Sequence, residues 1–115
     1  MDDLDHQLRL PDGLDAAVQF LAGNSRGFGH NRRRALISRR LKHVFLTKEQ
    51  EKALVEAILD KLRQGDIDEQ FMDQLRLCRH LDPDKTREAA SSLLEADKEH
   101  VRRYAKRALQ LGQRR

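Results

Sequence analysis

Cysteine occurs once in this chain, at Cys78, tryptophan not at all, and tyrosine once beside four phenylalanines. A lone thiol excludes a disulfide framework. It excludes a cysteine-based zinc set too, because Cys78 and His80 diverge on a helix and no second cysteine exists. Long apolar runs are also missing: none exceeds three residues, as at Val44 to Leu46, where a membrane-spanning helix needs about 20. The opening Met1-Asp2-Asp3-Leu4-Asp5 is acidic where a signal peptide is basic and then apolar. These absences lead to an expected soluble, cytoplasmic protein with no membrane partner, no metal and no cofactor.

What remains is a charged chain of 115 residues, 37% of them Asp, Glu, Lys or Arg and 38% hydrophobic. That is one domain's length, with core enough for one folded unit. Such a composition lies near the limit below which chain entropy prevents folding, and periodicity places it on the folded side. Between Thr47 and Gln64, Leu54, Val55, Ile58, Leu59 and Leu62 recur at three-to-four spacing, opposite Glu49, Glu56, Asp60 and Arg63. Thr47 and Gln50 have capping-box spacing, and Gly65 supplies a stop.

The same reading predicts a helix after Asp66-Ile67-Asp68, with Phe71, Leu75 and Cys78 as its stripe and Met72 and Leu81 alongside. Another runs from Pro83 to Ala96, capped by Asp82 and packing through Ala89, Ala90, Leu93 and Leu94. A last helix after Asp97 presents Val101, Tyr104, Ala105, Ala108 and Leu109, with Gly112 as its stop. Upstream, Leu14, Ala17, Val18 and Leu21 form a short helix ending near Gly23, and Asn31 is placed to cap a basic helix with Leu36, Ile37, Leu41 and Val44 on its apolar side. Between them, residues 23–31 form a Gly-rich loop of unusual length for a helical protein. No segment alternates with a period of two. The expected fold is all-α: a single compact domain of five or six short helices in hairpins, solenoid-like in arrangement. It spans residues 13–112, between loose ends at 1–12 and 113–115.

Charge is segregated along this frame. Residues 1–30 sum to −3, residues 31–46 to +6, residues 47–81 to −2 and residues 82–115 to +3. The +6 segment holds Arg32, Arg33, Arg34, Arg39, Arg40 and Lys42 without an acid, and a helix turns Arg32, Arg39 and His43 away from Ile37, Leu41 and Val44. Were the Arg103, Lys106 and Arg107 side of the last helix adjacent, the two would form one positive surface for a polyanion. A solvated face accounts for the same residues. Arg26 and Phe28, on the Gly-rich loop, suit a phosphate backbone and a stacked base; Phe28 suits equally well a lid folded onto the core.

Catalytic patterns fail on residue type. His80, Asp82 and Asp84 lack a nucleophile and the two acids serve a helix start. Gly27-Phe28-Gly29 lacks the Gly-Lys-Ser/Thr ending of a phosphate-binding loop. Asp97 and His100 alone cannot form a di-iron set. A DNA-reading helix-turn-helix around Gly65 would begin Asp68-Glu69-Gln70 and press carboxylates against phosphates.

Asp97-Lys98-Glu99-His100-Val101-Arg102-Arg103-Tyr104-Ala105-Lys106-Arg107-Ala108-Leu109 resembles the inner helix of a HEAT-type repeat, where an Asp precedes a Val-Arg pair and small residues with Leu recur on the packed side. With residues 83–96 as outer helix, the resemblance covers residues 83–109. It implies a short solenoid-like stack whose inner helices bind a protein or nucleic acid, with Arg102, Arg103 and Lys106 on that surface. No second copy lies upstream, since aligning Asp68 with Asp97 puts Asp73, Arg76 and Arg79 where Arg102, Ala105 and Ala108 stand. The expected function is a non-enzymatic interaction module holding an acidic protein partner through Arg26, Phe28, Arg32, Arg33, Arg34, Arg39, Arg40, His43, Arg102, Arg103, Lys106 and Arg107. The alternative is sequence-tolerant RNA or DNA binding by the same residues.

Overall fold

The computed structural model describes residues 3–111, which form seven helices and no strand. They are α1 (Asp3–Leu8), α2 (Pro11–Ala22), α3 (His30–Leu41), α4 (Lys48–Gln64), α5 (Met72–Leu81), α6 (Pro83–Ser92) and α7 (Glu99–Leu111). Gly112 and residues 113–115 lie outside the described residues.

The N-terminal stretch departs from the loose end expected of it. Leu4 and Leu8, one turn apart, are both buried and hold α1 against the core. Pro11 opens α2 at its first turn, and the corner between the two helices is so close that a Cβ on Gly13 would sit 2.2 Å from the Gln7 carbonyl oxygen. Only glycine fits there.

Helix α4 forms as its sequence requires. The Thr47 hydroxyl accepts from the Gln50 N–H at 3.0 Å and the Gln50 side chain accepts from the Thr47 N–H at 2.9 Å, which satisfies two otherwise free donors. Gly65 ends the helix at φ 76°, in the left-handed region that disfavours side chains. Asp82 caps α6 by accepting from the Lys85 N–H at 3.0 Å.

Three boundaries differ from expectation. Helix α3 begins at His30 behind Gly29, not behind an Asn31 cap. Helix α5 begins at Met72 because the Asp68 carboxylate accepts from the Gln70 N–H at 2.7 Å and holds a turn while Phe71 enters the core. Helix α6 stops at Ser92, and residues 93–95 turn the chain toward α7.

The core is centred on α5, which packs against α3, α4, α6 and α7; α4 also packs on α2, and α6 pairs with α7. Phe71, Leu75, Leu77 and Cys78 are among its most enclosed side chains. With so few aromatics, Phe71 has particular weight: it is 1% exposed and meets the Tyr104 ring edge-on at 5.9 Å. Phe71→Ala should cost about 3–5 kcal/mol, whereas Thr47→Ala, which removes the cap alone, should cost about 1 kcal/mol. Urea unfolding followed by circular dichroism checks both, and equal losses would contradict this placement of the core.

Candidate interaction surfaces

The Gly-rich loop, residues 23–29, is folded back on the start of α3. The Ser25 hydroxyl lies 3.2 Å from His30 Nδ1, and the Arg34 guanidinium donates to the Ser25 carbonyl at 2.7 Å and its hydroxyl at 3.0 Å. Phe20 closes this anchor from the α2 side, edge-on to the His30 ring at 5.2 Å and under the Arg34 guanidinium at 4.9 Å. Phe28 takes no part in it. Its ring stands wholly in solvent, so it is not a lid on the core.

The twelve residues expected to form one binding face are divided among several roles. Arg26 donates to Asp66 at 2.5 Å, Arg39 to Asp73 of α5 at 2.8 Å, and Arg40 to Asp5 of α1 at 2.6 Å. Arg34 is 4% exposed and holds the loop from inside. Arg102 donates to the Ala96 and Asp97 carbonyls at 2.6 and 3.0 Å and so ties down the turn before α7. Arg103 and Arg107 both lie over Tyr104, 6.0 and 5.6 Å from the ring centre. Arg32, Arg33, His43 and Lys106 are exposed, with no ion-pair partner among the described residues. Helix α5 is packed against both α3 and α7, and its Asp73 also takes Arg76 at 3.4 Å. Three of the five α3 arginines, Arg34, Arg39 and Arg40, are therefore engaged within the fold.

A different feature dominates the surface. Where the α1–α2 corner faces the α3–α4 connection, a groove of about 840 Å³ is lined by Leu8, Leu10, Pro11, Leu14, Val44 and Phe45, with Asp5, Arg9, Asp15, Arg40 and His43 on its rim. Phe45 is 91% exposed and Leu10 49%. Phe45 was legible as an oddity. In Val44-Phe45-Leu46 the helical period has ended, and Leu46 goes to the core, which leaves its neighbour turned out. Arg9 and Leu10 gave no signal, because the stretch around them reads as a loose end.

Lys61 is also absent from the sequence-level candidates. It falls on the apolar stripe of α4, seven residues after Leu54 and three after Ile58, and is 8% exposed. Its ammonium donates to the Leu21 carbonyl at 2.8 Å and the Gln74 side chain at 3.3 Å. Burial, with the nearby Arg34 charge adding to it, brings its pKa from the ordinary 10.5 to about 8. Burial also lowers the Arg34 pKa, against the opposing pull of Asp68 and Asp66. The Cys78 thiol, donating to the Val55 carbonyl at 3.8 Å, is pushed from 9.0 up to about 11 by burial.

No family model, curated protein or solved structure matches the chain.

Of the three shifted groups, Lys61 and Cys78 act on stability with opposite signs. Between pH 8 and 10.5 the unfolded chain holds the Lys61 proton more tightly than the folded one, so stability rises with pH. Between pH 9 and 11 the unfolded chain loses the Cys78 proton first, so stability falls. Subtracting the urea-denaturation profile of Lys61→Met from that of wild type should isolate the first effect: a relative gain for wild type on the order of 2–3 kcal/mol from pH 7 to 10.5. Parallel profiles would mean that Lys61 is not buried as a cation.

Proposed function

We propose that this chain is a non-enzymatic helical interaction module that docks an acidic, apolar-faced segment of a protein partner in the groove between the α1–α2 corner and the α3–α4 connection. The exposed Phe45 ring beside that groove carries the reading. A solvent-facing phenylalanine next to a concave apolar surface is the composition of a protein-binding patch and is not needed for the fold. Arg9 supplies unpaired positive charge at the groove, Asp5 is already engaged by Arg40, and Asp15 accepts from the Gln50 side chain. The preference for acidic partners thus rests on a smaller set of cations than the sequence offers.

A second reading has an observation of its own, the solvated Phe28 ring on the same chain segment as the exposed Arg32 and Arg33. An aromatic platform beside two free cations suits single-stranded nucleic acid.

Fluorescence polarisation separates the two. A labelled amphipathic Glu/Leu peptide should bind at least tenfold tighter than its Lys/Leu counterpart, and Phe45→Ser should weaken it about tenfold or more while changing stability by only about 0.5 kcal/mol. Equal binding of both peptides, or indifference to Phe45→Ser, rejects the groove. Labelled single-stranded RNA tests the second reading. Binding lost in Phe28→Ala, with a log–log salt slope of roughly −1.4 for two neutralised phosphates, would favour it.

A further inference from the structure

Folding carries two cations into the same part of the interior. Arg34 arrives on the inward face of α3 and Lys61 on the inward face of α4, and both line a small cavity of about 40 Å³ behind the 23–29 loop. Their direct partners are neutral: the Ser25 carbonyl and hydroxyl and, at 3.5 Å, the Asn31 side chain for Arg34; the Leu21 carbonyl and Gln74 for Lys61. Neither makes an ion pair with a described carboxylate. Asp66 and Asp68 also line the cavity, but Asp66 is held by Arg26, which lines it too, and Asp68 accepts from the Gln70 N–H. The charged groups around this space are thus three cations and two carboxylates, one positive charge in excess.

Donors are in excess as well. Lys61 carries three N–H bonds and uses two, and Arg34 Nε is buried with no acceptor among the described residues. Asn31, in the first turn of α3, brings the positive end of that helix to the same wall. We infer that this cavity is a binding site for one small inorganic monoanion of the size of chloride, held by Lys61 and Arg34. Its volume of about 40 Å³ is close to the roughly 30 Å³ that one water molecule occupies in the liquid, which leaves room for one small ion. A water molecule would accept the free N–H bonds but leave the excess charge uncompensated, whereas an anion meets both needs. The site is separate from the groove proposed for the protein partner. Its effect would be to hold the 23–29 loop, and with it Phe28, in one arrangement.

Chloride-35 NMR on the full chain tests this, with sodium gluconate balancing ionic strength. Saturable excess line broadening is expected, retained in Arg32→Ala/Arg33→Ala and reduced at least fivefold in Lys61→Gln. Broadening that vanishes in the surface double variant, or its absence in wild type, overturns the site. Wild-type crystals grown in sodium bromide give a reading that requires no variant to fold. An anomalous peak within hydrogen-bond distance of Lys61 Nζ supports the assignment, and a cavity holding ordinary water with no anomalous signal removes it.

Discussion

One short helix, enclosed on most sides, sets the terms for everything else in this molecule. Helix α5 meets α3, α4, α6 and α7, and Gln74, Leu75, Leu77 and Cys78 are all given to those contacts. Leu, Cys and Gln are modest in volume, so the neighbours must approach closely, and the small residues Ala89, Ala90, Ala105 and Ala108 on α6 and α7 allow it. The same enclosure fixes the electrostatics. Helix α5 is packed against both of the strongly basic helices, α3 and α7. The partly buried Asp73 on α5 engages Arg39 from one side and Arg76 from its own helix.

That arrangement changes how the abundance of arginine is understood. Counted along the chain, the basic segment looks like a docking face. In three dimensions, Arg26, Arg39 and Arg40 bridge to acids 34 to 40 residues away in sequence, Arg34 fastens a loop and Arg102 fastens a turn. Individually such exposed bridges contribute little to stability, typically about 0–1 kcal/mol. Collectively they remove charge from the surface and define the register between helices. Among the cations without an ion-pair partner in the described residues are Arg32 and Arg33, near Phe28 at one end of α3, and Arg9, beside the groove. The proposed interaction role therefore rests on exposed aromatic rings at the two ends of α3 and not on net charge.

Local signals in the sequence proved sufficient for most of the helices. Thr47, Gln50 and Gly65 delimit α4 because capping and left-handed turns depend on residues within a few positions of each other, and Asp82-Pro83 sets α6 for the same reason. The all-helical class follows from periodicity alone. Signals failed where the deciding contact was distant. Nothing near Leu4 announces that α2 and the core will receive it. No local rule says that the Asp68 carboxylate will hold a turn and delay α5, or that Asp73 will meet an arginine 34 residues earlier. The groove was invisible because it belongs to two corners that meet only after folding. Lys61 could have been noticed, since a lysine in phase with Leu54 and Ile58 must either break the stripe or be buried with partners.

The placement of Cys78 has one more consequence. Its sulfur has no exposure, is hydrogen-bonded to the α4 backbone and stays protonated at neutral pH, and it is the chain's only thiol. An alkylating reagent can reach it only when the packing around α5 comes apart. The protein thus carries a chemical clock at its centre, whose rate of modification reports how often the interior opens, without any added label.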